Sequence, residues 1–129
     1  MITIDTNIWV RYVTNDDPLQ ATKAVELLSR SEEVFLPKTV LLELEWVLRA
    51  VYELPRANIL KAVLHILGLP NVQAEFPEQV VSALAYFERG LDFADALHMV
   101  SSGSEKTVYT FDTQFAKRAR SLGASVVML

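Results

Sequence analysis

The stretch Met1-Ile2-Thr3-Ile4-Asp5-Thr6-Asn7 decides how the rest of the chain is read. Ile2-Thr3-Ile4 is a short β-branched run suited to a half-buried strand. Asp5, Thr6 and Asn7 then place an acid, a hydroxyl and an amide where the chain must turn into a helix carrying Ile8, Trp9, Val10, Tyr12 and Val13. A strand that delivers an acid to its carboxyl end matches the position of ligand sites in open α/β sheets. Asp5 is therefore the anchor to which later acids are compared.

Outward from that anchor, Asp16-Asp17-Pro18 predicts a helix start, with Asp17 as cap and Pro18 in the first turn, running to about Arg30. Val34-Phe35-Leu36 before Pro37 reads as a second buried strand. Thr39 to about Tyr52 is a helix with Leu41, Leu44, Leu48 and Val51 on one stripe, and Pro55 begins another that ends near Gly68. Val72 to Phe76 is a weak third strand, and a helix follows from Pro77 to Gly90. Asp92 opens a helix to about Ser102, Thr107 to Phe111 is a strand, Asp112 opens the last helix to Gly123, and Val126 to Met128 is the final strand. Short apolar strands alternating with helices predict α/β architecture around a mainly parallel sheet, because parallel neighbours need crossover connections. No repeat or linker interrupts residues 1–129, which are expected to form a single domain.

Composition narrows the chemistry. The 129 residues are 51% hydrophobic, enough for a core. No apolar run reaches the roughly 20 residues that span a bilayer, and the N-terminus lacks a signal-peptide pattern, so a cytoplasmic protein with no membrane role is expected. The absence of cysteine excludes disulfides, thiol catalysis and thiolate metal sites. Two histidines, His65 and His98, make a multi-histidine zinc site a poor fit. A net charge of −4 is the wrong sign for holding nucleic acid by bulk electrostatics, so a nucleic-acid substrate would require a local basic patch or a bound cation.

Carboxylates remain. Asp5 and Asp112 each follow a strand and could simply cap the next helix. Glu43 has Val40, Trp46 and Val47 as its helical neighbours and no cation among them, so its bland reading is a solvated notch. Glu45 has Arg49 four residues on, a pairing that explains it structurally. Asp92 suits the cap of its helix, and Asp95 the first turn, near the positive end of the helix dipole. His98 shares a face with Asp95 and reads as a packed or hydrogen-bonded histidine rather than a ligand. Asp5, Glu43, Asp95 and Asp112 can all fall at one edge of a parallel sheet. Like charges about 4 Å apart repel by roughly 4 kcal/mol at an effective dielectric of 20, so crowded carboxylates would protonate or bind hard cations such as Mg²⁺ or Mn²⁺.

Asp5-Thr6-Asn7, Glu43, the run Asp92-Phe93-Ala94-Asp95-Ala96-Leu97-His98 and Thr110-Phe111-Asp112 together resemble the PIN domain, specifically its compact VapC-type toxin branch. The resemblance covers essentially the whole chain. It implies a three-layer α/β/α sandwich and a metal-dependent endoribonuclease that hydrolyses RNA with metal-activated water. Asp5, Glu43, Asp95 and Asp112 would be its catalytic and metal-site acids, with Thr6, Asn7, Asp92 and Thr110 as supporting polar residues. It also implies inhibition by a small VapB-like antitoxin and a homodimer, within a larger complex when antitoxin is bound. Lys117, Arg118 and Arg120 are candidate RNA contacts, with a solvated helix face as the competing reading. Trp9, Tyr12, Trp46 and Tyr52 could line a groove or dimer face, or belong to the core. Two other readings compete. A catalytically silent PIN-like module would only bind a partner. A receiver-like phosphoacceptor would need an adjacent acid pair after the first strand, where Asp5 precedes Thr6, and a lysine after the last site strand, where Asp112 precedes Thr113.

Overall fold

The computed structural model describes residues 1–103 and 105–129. They form two compact units, Met1–Phe76 and Pro77–Leu129. The first contains β1 (Ile2–Thr3), α1 (Thr6–Thr14), α2 (Pro18–Arg30), β2 (Val34–Leu36), α3 (Lys38–Ala50), α4 (Arg56–Leu67) and β3 (Val72–Ala74). The second contains α5 (Pro77–Glu88), α6 (Phe93–Ser102), β4 (Val108–Thr110), α7 (Thr113–Ser121) and β5 (Val126–Met128). The fold is α/β, and its strand pairings are parallel: β1 with β2, β2 with β3, and β4 with β5.

In the first unit β2 is the middle strand, and Val34 and Leu36 are fully buried, as a parallel strand with neighbours on both sides requires. Its ladder holds Ile2 opposite Val34 and Thr3 opposite Phe35, which sets where β1 ends and Asp5 emerges. On α3 the buried stripe is Leu41, Leu44 and Leu48, and it also carries Glu45, only 2% exposed. Arg49 reaches back along the helix to that carboxylate, Nε to Oε2 at 2.8 Å, so the buried charge has its expected partner.

Trp9 belongs to this core. Its ring is fully buried and stands edge-on to Tyr12, so it takes no part in an exposed groove. Its Nε1–H has no acceptor among the described residues, a cost of about 1–3 kcal/mol that burial of the large ring offsets. Tyr12 stacks on His65 and hydrogen-bonds it at 2.8 Å, and the Tyr52 hydroxyl donates to Asp16 at 2.6 Å. Of the four aromatics that could have lined a groove or belonged to the core, Trp46 alone is more than half exposed.

In the second unit α5 lies along α6, and Phe87 meets Phe93 edge to face with centroids 5.6 Å apart. Gly90 turns the chain between these helices at φ +104°, a conformation that costs glycine little. Its carbonyl accepts a hydrogen bond from Arg118 on α7. Arg120 Nε donates to the Val126 carbonyl at 2.8 Å, joining α7 to β5. These bonds fix the end of α7 against the turn that leads into α6 and against β5.

Candidate functional site

In the first unit the acids meet at Thr6. Asp5 leaves β1 in extended conformation and caps α1, its Oδ1 accepting from the Thr6 amide at 2.7 Å. The Thr6 hydroxyl, on a buried residue, donates to Glu43 Oε1 of α3 at 3.1 Å. One threonine therefore ties the carboxylates of Asp5 and Glu43 to a common point through its amide and its hydroxyl. Both acids are exposed, and each keeps one oxygen outside these two bonds. Asn7 is exposed on the next residue of α1, as befits a polar neighbour of the pair.

In the second unit the acids sit at two helix starts. Asp92 Oδ2 caps α6 by accepting from the Asp95 amide at 3.2 Å. Asp112 Oδ1 caps α7 by accepting from the Phe115 amide at 3.0 Å, while its own amide donates to Thr110 Oγ1 at 2.9 Å. Capping thus accounts for one oxygen of Asp92 and one of Asp112. Asp95 differs. Its half-buried carboxylate has no hydrogen-bond or ion-pair partner among the described residues. Burial pushes its carboxyl above the usual value, the charges of Asp92 and Asp112 push it further, and His98 pulls weakly the other way. His98 is exposed, and this charge effect on Asp95 is its tie to the acidic group.

The structure thus brings Asp5, Thr6 and Glu43 together in one unit, and Asp92, Asp95, Thr110 and Asp112 within mutual influence in the other. Among the described residues no group of three or more His, Asp or Glu side chains is gathered tightly enough to hold a metal ion. The donor chemistry still fits a hard divalent cation: the acids offer only oxygen, and no Lys or Arg among the described residues pairs with Asp95.

The basic residues divide differently from expectation. Arg118 and Arg120 are engaged by the Gly90 and Val126 carbonyls, which makes them braces of the second unit. Lys117 alone of the three has no partner among the described residues. Sequence reasoning missed a cleft of about 520 Å³ between α1 and α2 that opens at Asn7 and carries Lys23 and Arg30. Neither cation has a side-chain partner among the described residues, whereas Arg11 in the same cleft is held by Asp16, Gln20 and Tyr52. The signal was present as cations seven residues apart on α2, two helical turns on one face.

No curated protein matches the chain. A family model described as the PIN domain matches residues 2–121. PIN domains are generally a nuclease fold, and they usually work with divalent metals. That match runs through both units and through each of the acids Asp5, Glu43, Asp92, Asp95 and Asp112, and on it the chain belongs to the PIN domain family.

Proposed function

We propose that this PIN domain is a Mg²⁺- or Mn²⁺-dependent endoribonuclease, the toxin of a VapBC-type module, with Asp5, Glu43, Asp95 and Asp112 as its working carboxylates. The observation that carries the reading is Asp95: a half-buried acid with no partner among the described residues, its charge opposed by those of Asp92 and Asp112. A fold has little reason to keep such a charge unless something else neutralises it. Family membership makes a divalent cation the fitting neutraliser.

Asp5, Asp95 and Asp112 would hold the cation, with Glu43 as a further ligand or as the base. When bound, a divalent cation supplies Lewis acidity toward the scissile phosphate and lowers the pKa of water. Thr6 holds Glu43 Oε1, leaving Oε2 to accept the proton of the attacking water. The water oxygen bonds to phosphorus, the ester P–O bond breaks, and the proton passes to the departing oxygen, so that one strand becomes two. Asp92 and Thr110 act indirectly, the first by fixing the start of α6 and the second by holding the Asp112 amide. A small antitoxin and a second copy of the chain are the proposed partners. Trp46, an exposed indole one turn from Glu43 on α3, supports a partner surface beside the acids.

The test is cleavage of total cellular RNA by antitoxin-free protein in Mg²⁺, Mn²⁺ or EDTA, beside Asp5→Asn purified identically. Discrete fragments that need metal and vanish in the variant are expected, and equal cleavage by the variant would sink the assignment. A second reading, the catalytically silent partner-binding module, is favoured by the lack of a three-acid grouping among the described residues. No cleavage and no metal-induced thermal shift would select it. The receiver alternative falls with the family match.

A further inference from the structure

The β4–β5 ladder of the second unit has one face turned inward and one turned out. Val126 is buried, and Val108, Thr110 and Met128 are half-buried. Tyr109 pairs in register with Val127, and both are exposed, at 63% and 37%. The alternation continues past the strand ends, where Thr107, Phe111 and Ser125 are exposed as well. Residues two apart on a strand share a face and lie roughly 6.8 Å apart. Tyr109 and Val127 therefore share the outward face of the ladder, flanked by exposed Thr107 and Ser125, and exposed Phe111 follows in the bend that ends β4.

This exposed stretch is graded in chemistry. At one end the Thr107 and Ser125 hydroxyls bond each other at 2.9 Å. At the other stands Phe111, 80% exposed, more than any other large apolar side chain among the described residues. Its backbone is pinned on both sides: the Thr110 carbonyl accepts from the Leu129 amide at 2.9 Å, and Asp112 is fixed by Thr110 Oγ1 and by its cap on α7. An exposed aromatic ring on a hydrogen-bonded stretch of backbone thus immediately precedes an acid assigned to the reaction.

We propose that Tyr109 and Phe111 form a stacking platform for the bases of single-stranded RNA, seating the nucleotides next to the phosphodiester that Asp112 addresses. This rests on the nuclease reading above. Two exposed aromatic rings, Tyr109 on the strand and Phe111 just past its end, offer π-faces on which any base can stack. The hydroxyl pair at the far end offers donors and acceptors of the kind that meet ribose 2′-OH groups. Charge points the same way. In a chain of net charge −4, beside Asp92, Asp95 and Asp112, RNA gains little from bulk attraction, whereas stacking on uncharged bases avoids that repulsion. A second copy of the chain fits this face less well, because a two-fold contact across it would bring like-charged Asp112 residues toward each other.

The experiment compares wild type, Tyr109→Ala, Phe111→Ala and Phe111→Trp for binding a fluorescent mixed-sequence single-stranded 12-mer RNA in Ca²⁺. Each is also assayed for metal-dependent cleavage and for mass by light scattering. Phe111→Ala is expected to weaken binding about tenfold, with Tyr109→Ala smaller and Phe111→Trp restored. The salt dependence should be unchanged, since no ion contact is removed. Unchanged RNA affinity in Phe111→Ala overturns the platform while leaving the nuclease standing if wild type cleaves. A change of mass without a change of affinity reassigns the face to self-association. Wild type that neither binds nor cleaves RNA removes the nuclease reading and the platform with it.

Discussion

The acids of the two units are built on opposite principles. Asp5 and Glu43 are tied through the amide and hydroxyl of one threonine, so the first unit presents its carboxylates already oriented by neutral donors. Asp95 has no such donor among the described residues, and its surroundings oppose its charge. The contrast separates two tasks that a metal-dependent site needs: geometry fixed in advance, and an unmet electrostatic demand that makes a cation welcome.

Asp95→Asn offers the largest expected effect. Metal-dependent RNA cleavage should fall about a hundredfold or more, measured on the same RNA as wild type. The same change should raise the melting temperature of the metal-free protein at pH 7. Its carboxyl is raised in the folded state, so the native form binds more protons than the unfolded chain between the ordinary value of 3.8 and the raised one. Wild type therefore loses stability relative to the variant as pH rises through that window, and the advantage of Asn should vanish below it. Thermal melts in EDTA across acid to neutral pH check the sign, and a variant less stable than wild type at pH 7 would break the comparison.

Thr6→Val probes the other half. The variant keeps the amide that Asp5 accepts from and loses the hydroxyl that holds Glu43, so cleavage should drop about 10- to 100-fold. Kinetics at several pH values would separate a lost orienting bond from a lost base. A fall matching that of Asp95→Asn would mean the two halves are not distinct in role.

The smallest effect is expected at Asp16, an exposed acid with the reverse sign. The Tyr52 hydroxyl, then Thr14 and Arg11, hold its carboxyl down at about 2. Its stabilising contribution is thus present at neutral pH and declines as pH falls from 3.8 through about 2. Melts of Asp16→Asn against wild type should show a small deficit at pH 7 that narrows over that interval. A deficit that grew on acidification would refute the assignment.

Much of the architecture was legible because its punctuation is local. Asp17-Pro18 starts α2 as expected, and Asp92 and Asp112 cap α6 and α7. Ends set by distant groups were not legible. The third strand stops at Ala74 rather than Phe76, since the Glu75 carboxylate turns away to accept from the Lys38 amide and Phe76 takes a positive φ of 45°. The helix expected from Thr39 begins at Lys38 for the same reason. At the site, the candidate acids stood out by type and order, and Glu45 was rightly set aside for Arg49. Their condition could not be read that way, because the bond from Thr6 to Glu43 joins residues 37 apart. Likewise, α1 carries apolar residues around much of its circumference, and nothing local chooses Trp9 and Val10 as its buried apolar residues.

The bond from Arg118 to the Gly90 carbonyl has a mechanical consequence. It spans the helix bearing Asp112 and the turn that launches Asp92 and Asp95, the two places that mutual repulsion drives apart. The guanidinium is a brace that holds the last turn of α7 to the turn before α6. Because that bond joins residues 28 apart in sequence, the placement of α6 against α7 depends on a contact that neither helix could make by itself.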